Sequence, residues 1–406
     1  MKRVIYFCLL LCSFLSCTNK NNSDLYDYQS KEIIDLTEPS DCFDIIDRIQ
    51  GIDVLNLTVG ESWVHLRYPR MQVSGNGYYF LSDKTDFLIG YDKSGNLKFA
   101  KQIKGRGRGE IVSVGNFSVR EDSLLIYDRV LGRMLYYTED GFFNSFLNRS
   151  EVKAELLYKT NGRFWGLSIF GEHEFENHYC VKYNDDGSAL NNYLILPPHL
   201  KGYNFSIGYT DMSYMFHDTL RFMVIHDYNI FSLTENGIES SFRFKSNHEM
   251  PRDYFDGMTG FEMMNPEITA KTMNEGFTGS FAEITETDNF LMVNFDSENH
   301  NQMLLYDKNQ RTYGLLPRPD SFFDESIVDE LTTQNVWRYI LFSFTRLCVY
   351  DNSVYGCAPY SLYYILSKTE SLHDEKIKAF YDQVKEFVET QKIESGDMFF
   401  FKMNLL

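Results

Sequence analysis

The sequence predicts an all-β protein, and three observations carry the prediction. First, it holds 28 Tyr and 34 Phe against 9 Pro, and such aromatics favour the half-buried pleated surface of a sheet. Second, a strand ending in Tyr or Leu runs repeatedly into a polar turn tipped by Gly or Asn. The copies are Tyr91-Asp92-Lys93-Ser94-Gly95, Tyr137-Thr138-Glu139-Asp140-Gly141, Tyr183-Asn184-Asp185-Asp186-Gly187, Leu233-Thr234-Glu235-Asn236-Gly237 and Tyr306-Asp307-Lys308-Asn309-Gln310. Third, the four glycines of these turns stand 46, 46 and 50 residues apart, and each turn follows a shorter strand. Four strands per unit of about 45 residues is the mark of a propeller blade. Counted along the chain, the units predict a six-bladed β-propeller with a helical insertion and a C-terminal helix.

From the N-terminus, Lys2 and Arg3 form a basic start and Val4 to Leu15 an apolar run too short to span a bilayer, the pattern of an export signal over residues 1–16. The run Phe14-Leu15-Ser16-Cys17 resembles the lipobox of bacterial lipoproteins, with Phe14 where Leu is usual. That resemblance implies cleavage before Cys17 and acylation of its sulfur and new amine, and several acyl chains anchor where one would not. Residues 17–40 then read as tether and lead-in, Thr18 to Asp27 being polar and rich in Asn and Ser. No later segment has about 18 uninterrupted apolar residues. The whole chain is 43% hydrophobic and 24% charged, enough for a large core. Loss of the signal's two positive charges moves the formal charge from −18 to about −20, which argues against a nucleic-acid or anionic-lipid surface.

The propeller is expected over residues 41–370. Its tip glycines supply the positive φ that tight hairpins need, and the preceding shorter strands are Gly77 to Leu81, Ser123 to Asp128, Gly162 to Ser168, Thr219 to His226 and Asn289 to Asp296. Between Gly237 and Gln310 lie 73 residues, about 27 beyond one unit. The surplus falls in residues 248–276, Met-rich with helix-like spacing, and reads as an insertion between blades four and five. A sixth unit, Arg346 to Leu366, alternates two strands around Asp351-Asn352 and is short by one strand, which Ile52 to Val59 is expected to supply so that the ring closes. In the C-terminal extension, 371–406, Ser371 to Asp374 fits a capping box. Ile377, Phe380, Val384, Phe387 and Val388 share one helical face, and Phe399 to Phe401 reads as a final edge strand.

The residues Gly105 to Glu110 (GRGRGE), Phe117-Ser118-Val119, Leu125-Ile126-Tyr127-Asp128 and Asp140-Gly141-Phe142 resemble the six-bladed β-propeller lipoproteins of Bacteroidetes, relatives of NHL-repeat proteins. That family's turn between the first two blades carries proline where Arg108 stands here. The resemblance is close from Gly77 to Phe143 and looser through Leu366. It implies the fold and a lipid-anchored place in the cell envelope, at the outer membrane and facing the periplasm or the exterior. It implies no activity.

Several constellations are candidates for chemistry. Gly105, Gly107 and Gly109 free backbone amides, and Lys101, Lys104, Arg106 and Arg108 surround them with positive charge, a combination suited to an anion. Arg106, Arg108 and Glu110 are therefore the candidate binding residues, against a purely structural turn in which Glu110 pairs with an arginine. The segment Gly171 to Cys180 gathers Glu172, His173, Glu174, Glu176, His178 and Cys180, yet it lacks HExxH or zinc-ribbon spacing and reads as a solvated acidic loop. No GxSxG elbow is present. Asp128, Asp227 and Asp296 recur at equivalent strand ends, which marks them as structural. The aromatic groups Phe142-Phe143, Tyr363-Tyr364 and Phe399 to Phe401 suit sugar stacking or, more simply, packing between blades. Cys8 and Cys12 leave with the signal; of Cys42, Cys180, Cys348 and Cys357, no pair has CxxC spacing, and buried thiols are expected, with a Cys348 to Cys357 bridge as the alternative. No metal or other cofactor is expected. The sequence thus points to a membrane-anchored module that binds a protein or glycan ligand or serves as a scaffold. The alternative is a metal-assisted hydrolase or lyase acting on a glycan or lactone at the propeller channel.

Overall fold

The computed structural model describes the chain from residue 28 onward, apart from short stretches of which the longest are 38–42, 61–65, 168–177, 201–211, 320–331 and 369–373. The export signal, Cys17 and its tether, Cys42, Ser371 and the loop of Glu172, His173, Glu174 and Glu176 lie outside the described residues.

In chain order, β1 (Ser30–Asp35) precedes a single helical turn, α1 (Ile45–Arg48), and β2 (Ile49–Val54). Blade one is β3 (Arg70–Ser74), β4 (Gly77–Ser82), β5 (Phe87–Tyr91) and β6 (Leu97–Gln102). Blade two is β7 (Val114–Arg120), β8 (Ser123–Asp128), β9 (Arg133–Thr138) and β10 (Phe143–Asn148). Blade three is β11 (Leu156–Thr160), β12 (Arg163–Leu167), β13 (His178–Tyr183) and β14 (Ala189–Ile195). Blade four is β15 (Ser213–Phe216), β16 (Thr219–Phe222), β17 (Asn229–Thr234) and β18 (Gly237–Lys245). The insertion then folds as α2 (Gly260–Met263) and α3 (Pro266–Asn274). Blade five follows as β19 (Gly279–Glu286), β20 (Phe290–Ser297), β21 (His300–Asp307) and β22 (Thr312–Pro317). The chain ends with α4 (Thr333–Ser343), β23 (Thr345–Tyr350), β24 (Ser353–Pro359), α5 (Ser361–Leu366), α6 (Glu375–Gln391) and β25 (Met398–Leu405).

Each of the first five blades is an antiparallel sheet in sequential order. The tip glycines Gly95, Gly141, Gly187 and Gly237 have φ of 84°, 78°, 91° and 130°, the left-handed backbone that the repeated turn demanded. The innermost strands neighbour one another in the cycle β3, β7, β11, blade four, β19, β23 and back to β3, so the sheets form a closed ring.

Ring closure differs from the expectation. Blade six has the order β2-β25-β24-β23. The N-terminal strand does close the ring, as Ile49–Val54, but on the outside of β25. Phe399, Phe400 and Phe401 are completely buried in the middle of that sheet and do not form an edge. Two strands were missing from the sixth unit, one supplied by each end of the chain. The outer edge of β2 is covered by α6: Gln383 Oε1 accepts from Val54 N at 2.9 Å and Lys376 Nζ donates to Ile49 O at 2.6 Å. Such cover removes an edge that would otherwise template pairing.

On α6, Ile377, Phe380, Val384, Phe387 and Val388 are all buried, each such side chain contributing roughly 1.5–3 kcal/mol of transfer free energy. The helix is capped by Asp374, which accepts from Lys376 N and Ile377 N; Asp374 was expected at the third helical position. Its other oxygen accepts from Trp337 Nε1 at 2.9 Å, which locks α6 to the buried α4. The strand β1 was not expected at all. It adds to blade four as a fifth strand, parallel to β18. Cys180, Cys348 and Cys357 are thiols.

Candidate functional site

Because neighbouring strands alternate in direction, all hairpins between first and second and between third and fourth strands emerge on one face of the ring. The loops between second and third strands, and every blade-to-blade connection, emerge on the other. That second face therefore carries the glycine-rich turn, the insertion and the helices α4 to α6, and long connections on a rigid ring are where sites collect.

In the glycine-rich turn the Gly105 and Gly107 amides are bonded within the protein, Gly105 N donating to Ile111 O at 2.8 Å. The Glu110 carboxylate accepts from Gly107 N at 2.7 Å, filling the cradle from within the same loop. A Cβ on Gly105, whose φ is 147°, would lie 2.0 Å from Glu110 Oε2. The carbonyls turn inward, with Arg133 donating to Gly107 O at 2.8 Å and Glu110 O at 2.5 Å, and Tyr137 Oη to Gly109 O. Glu110 thus pairs with a backbone amide, where the structural reading had paired it with an arginine. Arg106 and Arg108 are exposed, Arg108 lying 6.0 Å over the Phe146 ring.

The repeated aspartates divide. Asp128 is completely buried and accepts from Val112 N, Val130 N and Leu131 N at 2.9, 3.1 and 3.2 Å, which makes it a staple of the blade-two loop. Asp296 accepts from Asn301 Nδ2 at 3.0 Å. Asp227 is 2% exposed and accepts from Asn229 N and Nδ2 at 2.6 and 2.8 Å, both through Oδ1. Asn229 in turn accepts from Ser30 and Ser240, so the added strand β1 is wired to this loop.

The central channel is lined from all six innermost strands and encloses about 160 Å³. Glu286 is buried there among Tyr214 Oη, Arg221 Nη1 and Lys308 Nζ at 2.8, 2.7 and 3.0 Å. Its charge is already balanced.

A larger cleft opens on the long-loop face between blades four and five, roofed by the insertion. Its main chamber encloses about 380 Å³ and is walled by His226, Asp227, Tyr228, Phe277, Phe281 and Asp296 among others. A side chamber of about 30 Å³ shares His226, Asp227 and Tyr228 and adds His199, Arg243 and Glu249. Tyr228 Oη fastens the roof, donating to Thr278 O at 2.7 Å and accepting from Met250 N at 2.6 Å. The insertion is further tied by Arg243 to Glu249 at 2.6 Å and His248 to Glu298 at 3.0 Å.

Two features set this cleft apart chemically. His226 adopts φ of 60°, a backbone conformation that costs energy for a non-glycine residue and that gathers at ligand sites. Burial pushes the Asp227 carboxyl up to about 7, while burial and then neighbouring His199 push His226 down to about 3; desolvation also lowers His199. Near neutral pH, then, both imidazoles are uncharged and Asp227 is poised at its midpoint. Among the described residues no group of three or more His, Cys, Asp and Glu is arranged to hold a metal ion, and no helix is long and apolar enough to cross a membrane.

The sequence singles out Asp227 and Asp296 but not their meeting, and it assigns His199 and His226 no role. The signal available was Asp227 preceded by His226 in the one blade that is followed by an insertion.

The family model described as a 6-bladed beta-propeller matches residues 18–333. A Bacteroides fragilis crystal structure, described as that of an exported protein, aligns with 92% of this chain and 99% of its own at 14% identity and a TM-score of 0.69. A Bacteroides vulgatus structure aligns with 88% of this chain and 99% of its own, at 10% identity and a TM-score of 0.48. Virginiamycin B lyase from Staphylococcus aureus aligns with 75% of this chain and 80% of its own, at 14% identity and a TM-score of 0.38. No curated protein matches.

Proposed function

The chain belongs to the six-bladed β-propeller family whose model it matches over residues 18–333, and on that footing we propose that it is an extracytoplasmic ligand-binding module. Acyl chains on Cys17 hold it at a membrane, the outer membrane of the cell envelope, and it takes its ligand in the cleft between blades four and five. The observation that carries this reading is the chamber of about 380 Å³ beneath the insertion, within the size range of small-molecule sites. The insertion is surplus to the blade repeat, and it forms a wall of that chamber together with both neighbouring blades. The glycine-rich turn with Arg106 and Arg108 serves as the joint between blades one and two, since Glu110 occupies its cradle.

The test is a thermal-shift screen of glycans, peptides, amines and carboxylates on the wild type and on Asn274→Trp, whose indole fills the chamber that Asn274 lines. Ligands that raise the Tm of the wild type and not of the variant support the reading. Ligands that act equally on both place binding elsewhere. For the anchor, Cys17→Ser should move the protein from the membrane fraction to the supernatant, and unchanged fractionation would refute acylation.

A further inference from the structure

We infer that the main chamber takes a small organic cation, a compound bearing an ammonium group, with the charge held at Asp227 and Asp296 and the hydrocarbon against Tyr228, Phe277 and Phe281. This rests on the cleft being the ligand site and adds the class of ligand.

Among the described residues, the side chains walling the chamber include two carboxylates and the rings of Tyr228, Phe277 and Phe281, and no Lys or Arg. The cations whose charge acts on Asp227 are Arg243 and Arg252, which wall the side chamber. Arg243 is engaged by Glu249 at 2.6 Å. Of the other groups around Asp227, His226 and His199 stay uncharged near neutrality for want of solvation, and Glu249 and Asp296 are acids. Asp227 itself is 2% exposed, and its bonds to Asn229 use Oδ1 alone. Oδ2 takes no part in those bonds, and the residue lines both chambers. Burial raises its proton affinity, an effect that Arg243 and Arg252 offset only in part, so the carboxylate still gains from a positive charge at contact. An ammonium group supplies that charge through a charge-assisted hydrogen bond, and aromatic walls add cation–π attraction. The chain's formal charge of −18 draws cations toward it.

Binding has a proton signature. The ammonium stabilises ionised Asp227, so a proton leaves the carboxyl for solvent as the ligand enters. From a free value of about 7, the ionised fraction rises about tenfold between pH 6 and pH 8, and affinity should rise by the same factor.

The experiment is isothermal titration of the full chain in detergent at pH 6 and pH 8 with putrescine, choline, glucosamine and Nα-acetyl-lysine methylamide, with glucose as the neutral counterpart of glucosamine. The expected result is binding of at least one ammonium compound but not of glucose, with proton release at pH 6 and, for putrescine, choline and the lysine amide, whose charge is the same at both pH values, binding about tenfold tighter at pH 8. The free amines and the lysine amide separate a metabolite ligand from a lysine side chain of a peptide. Asp227→Asn, which keeps the Oδ1 acceptor for Asn229, should weaken binding at least tenfold at pH 8 and flatten its pH dependence. Asp140→Asn, on the opposite face, should change neither. Failure of every ammonium compound at millimolar concentration, equal binding of glucose, or unchanged binding by Asp227→Asn overturns the inference. If neutral or anionic ligands bind the wild type and not Asn274→Trp, the cleft stands and its cationic ligand falls; if binding ignores Asn274→Trp, both fall.

Discussion

Replacing Asp227 by Asn should make the protein more stable, by an amount that depends on pH. In the folded protein the carboxyl sits at about 7 against an ordinary 3.8. Between these values the native chain holds a proton that the unfolded chain has lost. The contribution of Asp227 is therefore full below about pH 4 and is lost as pH rises toward 7. At about 1.4 kcal/mol per decade of proton affinity, the step amounts to roughly 4 kcal/mol. Asn has no charge to bury and keeps the acceptor for Asn229, so the variant should exceed the wild type by about 1 kcal/mol at pH 4.5 and by several kcal/mol at pH 8. His226 acts oppositely. Its folded value of about 3 against 6.5 means that stability is lost as pH falls below about 6.5, through proton uptake by the unfolded chain. Since that ring is only part-buried by surface area, its share is below the full amount. In the wild type the two effects oppose each other over pH 4 to 6.5, and in the variant the histidine acts alone. Urea denaturation at pH 4.5, 6 and 8 measures both profiles. A difference independent of pH, or a variant less stable at pH 8, would refute the reasoning.

Asp128→Ala should cost roughly 3–5 kcal/mol in urea denaturation, because it strips the acceptor from four backbone amides, those of Val112, Ser113, Val130 and Leu131, and leaves Arg133 beside a void; a loss under about 1 kcal/mol would show that the loop is held otherwise. Removing residues 398–406 takes the third strand from blade six and separates β2 from β24, so the truncated chain should lose cooperative unfolding by circular dichroism, and a retained sharp transition would contradict the closure described. Gly105→Ala places a methyl against Glu110 in a left-handed backbone and should lower stability by about 1–3 kcal/mol. Arg106→Ala and Arg108→Ala, both exposed, should stay within about 0.5 kcal/mol, and parity among the three would argue against the strain.

The blades were legible because each is a local unit. Its turn needs Gly95, Gly141, Gly187 or Gly237 at a fixed interval, and a positive φ leaves a mark on composition. The amphipathic face of α6 was equally local. Closure was harder to read, since β2 and β25 pair across more than 300 residues and nothing in Phe399 to Phe401 distinguishes a central strand from an edge. The strand β1 hid in a polar lead-in because its register is set by β18 and its outward Ile33 and Lys31 are exposed. The helix α4 fell in the gap between recognised units. The cleft was least visible: His199, Asp227, Glu249, Phe277 and Asp296 come from blade three's exit, blades four and five and the insertion, and only the ring brings them together. The glycine-rich turn, conspicuous in sequence, owes its composition to tight packing around Glu110.

A crystal structure with the strongest ligand from the thermal-shift screen would show directly whether the cleft between blades four and five is the ligand site. Ligand density is expected beneath the insertion, between Asp227 and Asp296. Density in the central channel beside Arg70 and Arg346, with the cleft unchanged, would contradict that assignment.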